Sequence, residues 1–175
     1  MTLSPGLRKL TLTAHVTASV GWLGAVAATL ALGVAVLTSR NVETVRAAYL
    51  ALELSGWYVL LPFAFASLLT GIVQSVGTPW GLFRHYWVLA KLVMNLFATI
   101  VLLLYTQTLG RLADMAETTS AAGTPGSLRD ASPALHAGAA VLLLVAATVL
   151  AVYKPQGLTR YGRRKHDERR LMARP

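Results

Sequence analysis

Four long apolar stretches separated by short polar breaks dominate the chain, near residues 10–38, 47–76, 86–108 and 133–153. Each reaches or exceeds the roughly 20 residues that cross about 30 Å of hydrocarbon at 1.5 Å per helical residue. The pattern predicts an all-α bundle of four transmembrane helices. The first stretch carries no charge between Lys9 and Arg40, so it is long enough to tilt or to project beyond the membrane. Gly77-Thr78-Pro79-Trp80-Gly81 is a turn-rich break that a helix cannot cross. The segment 109–132, with Thr118-Thr119-Ser120, Gly123-Thr124-Pro125-Gly126-Ser127 and mixed charges, reads as a polar loop. Ser132 and Pro133 suit an N-cap and first helical residue for the last span. Residues 154–175 form a basic tail.

Composition agrees with a membrane protein. Of 175 residues, 55% are hydrophobic and 13% charged, against roughly 45–50% and 25% in a soluble domain; mean hydropathy is +0.56. Sixteen Lys and Arg against seven Asp and Glu leave +9, a sign that elsewhere suggests nucleic acid, but apolar runs this long exclude a soluble basic domain. The expected partner is the lipid bilayer, not nucleic acid. The chain has no Cys, which removes disulfides, iron–sulfur clusters, covalent haem attachment and thiolate metal sites.

Basic residues also predict orientation. Arg8, Lys9, Arg84, Lys154 and the tail arginines lie on one side of a four-span topology, while the other two loops hold only Arg40, Arg46, Arg111 and Arg129. By the positive-inside rule both termini face the cytoplasm. Ala25-Val26-Ala27 resembles a signal-peptidase site, yet the apolar run continues well past it, so cleavage is not expected. The tail, with Tyr161-Gly162-Arg163-Arg164-Lys165, either contacts anionic lipid headgroups, at roughly 1 kcal/mol per basic residue, or is a disordered end that sets topology.

Ionisable groups within a span are functional candidates by default, and here they are His15, Glu53, Lys91 and His136. Helix direction places His15 and Lys91 at one level, roughly 7 Å below the cytoplasmic boundary. Thr70, Gly71 and Gln74 reach similar depth, Ser19 and Asn95 stand one turn further in, and Arg84 and His85 guard the mouth. Glu53 and His136 enter from the opposite side and are placed to form an ion pair. Glu53, Trp57, Ser67, Thr70, Gly71 and Gln74 fall near one helical stripe, kinked between its ends by Pro62.

Each candidate has a plain structural alternative. Lys91 can snorkel to the interface, His15 can be a hydrogen-bonded neutral histidine, and His136 can be interfacial. His85 beside Tyr86 and Trp87 fits an aromatic belt. Gly21-x-x-x-Ala25 and Gly24-x-x-x-Ala28 suit close helix packing. Trp22, seven residues after His15 on the same face, either lines a planar cofactor or packs in the core.

A four-helix membrane bundle with an inward imidazole is a recurrent way to hold haem b, and His15 is the best axial ligand. Pairing His15 with His136 fails on height, since they differ by roughly 20 Å along the bundle. A second ligand would be His85 after a bend, or come from another subunit. His15-Val16-Thr17-Ala18-Ser19-Val20-Gly21-Trp22-Leu23-Gly24 and Tyr86-Trp87-Val88-Leu89-Ala90-Lys91-Leu92 resemble signatures of small bacterial membrane proteins that include the CopD-type domain and the HemJ-type protoporphyrinogen IX oxidase family. Val152-Tyr153-Lys154-Pro155 is similar to the last-helix exit of the latter. Over nearly the whole chain, and especially Leu82-Phe83-Arg84-His85-Tyr86-Trp87-Val88-Leu89, the sequence resembles uncharacterised four-span proteins of high-GC bacteria. The resemblance implies a bacterial plasma membrane protein. The oxidase family pairs a first-span histidine with a third-span lysine and carries haem b, which transfers here to His15 as the metal and cofactor ligand and Lys91 as the catalytic group. That family follows its Trp with aromatic residues, Pro and Arg, where this chain has Leu23-Gly24-Ala25-Val26-Ala27. For copper, Met94 is the membrane's only thioether and no His-rich or Met-rich loop accompanies it. The expectation is haem-associated redox chemistry with a membrane redox partner or a second copy of the chain. Two readings from other classes compete: a non-enzymatic scaffold whose buried polar groups specify assembly, and a proton-coupled carrier along the Glu53–Gln74 stripe.

Overall fold

The computed structural model describes residues 3–78, 81–118 and 128–172. Helix α1 runs Pro5–Thr38, and α2, Val42–Ser55, continues through a π-helical turn at Gly56–Leu60 into α3, Leu61–Val76. Then come α4, Tyr86–Thr118, α5, Ser132–Tyr153, and a short α6, Arg160–Met172. No strand occurs among the described residues; His85 and Leu158 form one isolated antiparallel bridge. α1, the α2–α3 unit, α4 and α5 are each long and apolar enough to cross a membrane, and together they make a four-helix transmembrane bundle. Pro79, Trp80 and most of the turn-rich segment after Thr118 lie outside the described residues.

Local chemistry accounts for the helix ends. Ser4 accepts a hydrogen bond from the Leu7 N–H, and Pro5 occupies the first turn, where its missing N–H costs nothing. Asn41 Oδ1 accepts from the N–H groups of Glu43 and Thr44 at 2.8 and 3.2 Å. At α5 the capping oxygen is Asp130 Oδ1, 2.7 Å from the Ser132 N–H, rather than the Ser132 hydroxyl expected from the sequence. That hydroxyl is 2.8 Å from Tyr105 Oη instead.

The helices outrun the apolar stretches, and the excess has a use. Residues 109–118 are helix, not loop. Leu109, Leu112, Ala113 and Ala116 recur at i, i+3, i+4 and i+7 and are buried, while Arg111, Asp114 and Glu117 occupy the opposite, exposed face. This extension packs on the start of α2 in a core with Val36, Val45, Tyr49, Leu52 and Leu128. Arg46 Nε donates to the Ala116 carbonyl at 2.8 Å, setting a cation at the C-terminal end of α4. Tyr49 Oη donates to the Leu128 carbonyl at 2.6 Å and accepts from the Asp130 N–H at 3.2 Å, tying the chain before α5 onto α2.

Within the bundle α1 is central, packed on both α3 and α5. Gly33 lies so close to α5 that a Cβ there would stand 2.7 Å from the Ala134 backbone nitrogen. Gly21 is packed under the Phe63 ring, whereas Gly24 faces open space, so the second of the two small-residue spacings does not mark a helix contact.

Pro62 produces a π turn rather than a simple kink. The Leu61 N–H bonds back to the Gly56 carbonyl, the i→i+5 pattern that absorbs one extra residue. Helical phase beyond it is offset, and Trp57, expected on the inner stripe, is 49% exposed.

Candidate functional site

At the end of the bundle that carries both termini, α1, α3, α4 and α5 enclose a cavity of about 460 Å³. His15, Trp22, Gln74, Lys91 and Asn95, five of the residues singled out in the sequence, all line it. Its floor is a polar network built across three helices. Ser67 is the hub: its hydroxyl is 2.9 Å from Ser19 Oγ and accepts from Asn95 Nδ2 at 3.3 Å. Its carbonyl lies 3.2 Å from His15 Nδ1, and Thr70 Oγ1 is 3.1 Å from the same nitrogen.

This geometry sets the state of the imidazole. A carbonyl oxygen can only accept, so His15 Nδ1 carries the hydrogen and donates it to Ser67, which leaves Nε2 with its lone pair when the ring is neutral. A backbone carbonyl thus fixes the orientation of the ring through Nδ1. Gly71 makes room for it: a Cβ at that position would stand 3.0 Å from His15 Cε1. The Thr70 hydroxyl donates back to the Ala66 carbonyl at 2.5 Å, freeing its oxygen to face the ring.

Charge in the lining is one-sided. Among the described residues it includes two lysines, Lys91 and Lys154, and no Asp or Glu. Lys154 was expected in the tail; it enters the wall because it ends α5 in the left-handed conformation, φ 43° and ψ 60°, which reverses the chain there. Two buried polar atoms on residues of the lining have no protein partner among the described residues, Trp22 Nε1, on a residue 2% exposed, and Asn95 Oδ1. Such atoms are normally satisfied.

Beside this cavity the chain after α5 returns along the turn before α4. Thr159 accepts from the Gly162 N–H with its hydroxyl, which donates to the Phe83 carbonyl at 2.5 Å; its own N–H reaches the Arg84 carbonyl at 2.9 Å. His85 belongs to this strap, with its ring 6.3 Å from Trp87, and does not line the cavity.

Glu53 and His136 are not brought together. Glu53 Oε1 is 3.5 Å from where a Gly110 Cβ would stand, so it faces α4. His136 is exposed, with Nδ1 2.9 Å from the Ser132 carbonyl and its ring stacked on Tyr105 at 3.9 Å. Among the described residues no ion pair joins them. Sequence reasoning also underrated Ser67: a lone serine in an apolar helix carries no signal until its neighbours are known.

Among the described residues no three His, Asp or Glu side chains gather in a metal cage. Compared with protein-family models, curated proteins and solved structures, the chain matches none.

Proposed function

We propose that the large cavity holds a planar tetrapyrrole bearing carboxylates, haem b, and that the protein takes part in membrane redox chemistry. The observation that carries the reading is the combination in one apolar-walled cavity of an imidazole oriented through Nδ1 and two lysines, Lys91 and Lys154. A macrocycle supplies four of its own nitrogens to iron, so a single protein imidazole suffices where a bare metal ion would need a cage. The volume lies within the few hundred to 1,000 Å³ usual for cofactor sites. His15 would hold the iron, Trp22 would lie against the group, and Lys91 and Lys154 would pair with its carboxylates near the membrane boundary, where an ammonium is least costly. When bound, haem supplies one-electron transfer.

The chain's own contribution is orientation. Ser67 and Thr70 hold the imidazole, and Gly71 allows it to approach α3. The His15–Lys91 pairing is also what the resemblance to the protoporphyrinogen oxidase family implies. The resemblance implies a bacterial plasma membrane protein, and the distribution of Lys and Arg supports cytoplasmic termini with the basic tail near anionic headgroups.

The test is an absorption spectrum of detergent-purified protein titrated with haemin, before and after dithionite. A saturable Soret band that shifts on reduction is expected, weakened at least about tenfold in affinity by His15→Ala. A protein that stays colourless at saturating haemin, with His15→Ala altering stability alone, would leave the scaffold reading in its place.

A further inference from the structure

A second, smaller cavity of about 140 Å³ lies toward the other end of the bundle, bounded mainly by α4, α5 and the middle of α1. Four of the side chains around it are aromatic rings, Trp22, Phe97, Tyr105 and His136. Most of the rest are aliphatic. An apolar cavity of roughly 150 Å³ accommodates one benzene ring and stays dry without it. Phe97, 58% exposed on the lipid-facing side, and exposed Ala139 stand at its edge, so the occupant comes from the bilayer.

Its polar end is particular. His136 Nδ1 is 2.9 Å from the Ser132 carbonyl and must donate to it, so the neutral ring presents Nε2 as an acceptor. The Tyr105 ring, stacked on the imidazole at 3.9 Å with 16° between planes, holds it in place, while the Tyr105 hydroxyl is engaged with Ser132 Oγ at 2.8 Å. Because His136 itself borders this ring-sized cavity, an occupant ring that carries a hydroxyl finds an acceptor in the wall. An acyl chain has no such donor, and a quinone carbonyl would meet lone pair with lone pair.

We infer that this cavity binds the hydroxylated ring of a lipid-soluble hydroquinone, with one ring hydroxyl donating to His136 Nε2 and the apolar tail lying in the membrane. The site stands independently of what fills the larger cavity, though Trp22 and Leu143 belong to both walls. No electron transfer is needed for the binding.

The test uses the full chain in phosphatidylcholine nanodiscs with a decyl-substituted benzohydroquinone kept reduced under argon, and reads the nitrogen-15 resonances of labelled histidine alongside equilibrium dialysis. Saturable binding with a shift of His136 Nε2 is expected. His136→Phe, which keeps the stacking on Tyr105, should weaken it about tenfold, the value of one hydrogen bond. Ala139→Leu, at the exposed edge, should weaken it at least as much by filling space, with both variants checked for unchanged thermal unfolding. The dimethyl ether of the same probe should bind at least about tenfold more weakly. Equal binding of the ether, or absence of saturable binding by the hydroquinone, would overturn the proposal and leave a cavity for lipid chains alone.

Discussion

Three glycines on α1 offer a graded test of how this bundle is held. Replacing each by alanine adds the same methyl group and the same gain in helix propensity, about 0.8–1 kcal/mol in an exposed position, so differences report only what the methyl meets. At Gly24 it meets nothing within 4 Å, and Gly24→Ala should be neutral or stabilising by up to about 1 kcal/mol. At Gly21 it meets Phe63 Cε1 at 2.6 Å, the far part of a side chain that can turn, and the cost should roughly cancel the propensity gain. At Gly33 it meets the Ala134 backbone nitrogen and Cα at 2.7 and 2.9 Å. Backbone cannot swing aside, so α1 and α5 must separate by several tenths of an ångström to reach ordinary contact. A gap of 0.5–1 Å forfeits about a quarter to a half of the dispersion energy between facing atoms. In a membrane, where lipid tails are as apolar as leucine, packing is most of what holds helices together. Overpacking of this kind costs about 1–3 kcal/mol, leaving Gly33→Ala less stable than the parent by up to about 2 kcal/mol after the propensity gain. Reversible unfolding in mixed detergent micelles, followed by circular dichroism, gives the order Gly24→Ala, Gly21→Ala, Gly33→Ala from most to least stable. Equal stability of the Gly24 and Gly33 variants would refute the packing argument.

Other substitutions probe separate joints. Tyr49→Phe leaves the Leu128 carbonyl and the Asp130 N–H without their shared hydroxyl; a loss of about 1–3 kcal/mol is expected, with faster amide exchange at residues 128–132 by mass spectrometry, and unchanged exchange there would count against the linkage. Arg46→Ala removes a cation from the C-terminal carbonyls of α4 and should cost about 0.5–1.5 kcal/mol in thermal unfolding, with Arg46→Lys recovering only part. Thr159→Val breaks the contacts to Phe83 and Gly162; trypsin should then cut after Lys154-Pro155 at the tail arginines several times faster while bundle unfolding is unaltered. Ser67→Ala deletes the hydroxyl that joins Ser19 to Asn95 but keeps the carbonyl that orients His15, so it should lower stability by about 0.6–1.7 kcal/mol and leave haemin affinity within about threefold, a spectroscopic titration being the check.

The number of spans was legible because each apolar run is long against the bilayer and each break contains residues a helix cannot carry through hydrocarbon. That His15 and Lys91 border one cavity was legible for a similar reason: rise per residue and helix direction determine depth once the spans are known. The length of α4 was not, since Arg111, Asp114 and Glu117 look like loop chemistry until Leu109, Leu112 and Ala116 are seen to form a buried face toward α2. The place of Lys154 in the cavity wall was not legible, because it depends on a left-handed backbone at a non-glycine residue.

The misplaced stripe from Glu53 to Gln74 has a single cause with consequences for both cavities. On an uninterrupted α-helix, residues 14 apart differ by a small angle, so Glu53 and Ser67 would share a face. The π turn at Gly56–Leu60 takes up one more residue than an α turn and rotates the two halves by roughly a quarter turn. Before it, Glu53 faces Gly110 on α4; after it, Ser67 faces Ser19 and His15 on α1, with Asn95 of α4 still in reach. Pro62 makes this possible, because a residue without an N–H cannot close the normal α-helical bond and the longer turn costs less there than elsewhere. The polar network around His15 is therefore assembled by a proline five residues before Ser67, and Pro62→Ala, by relaxing the turn toward regular helix, would rotate Ser67 and Thr70 away from the imidazole without touching it.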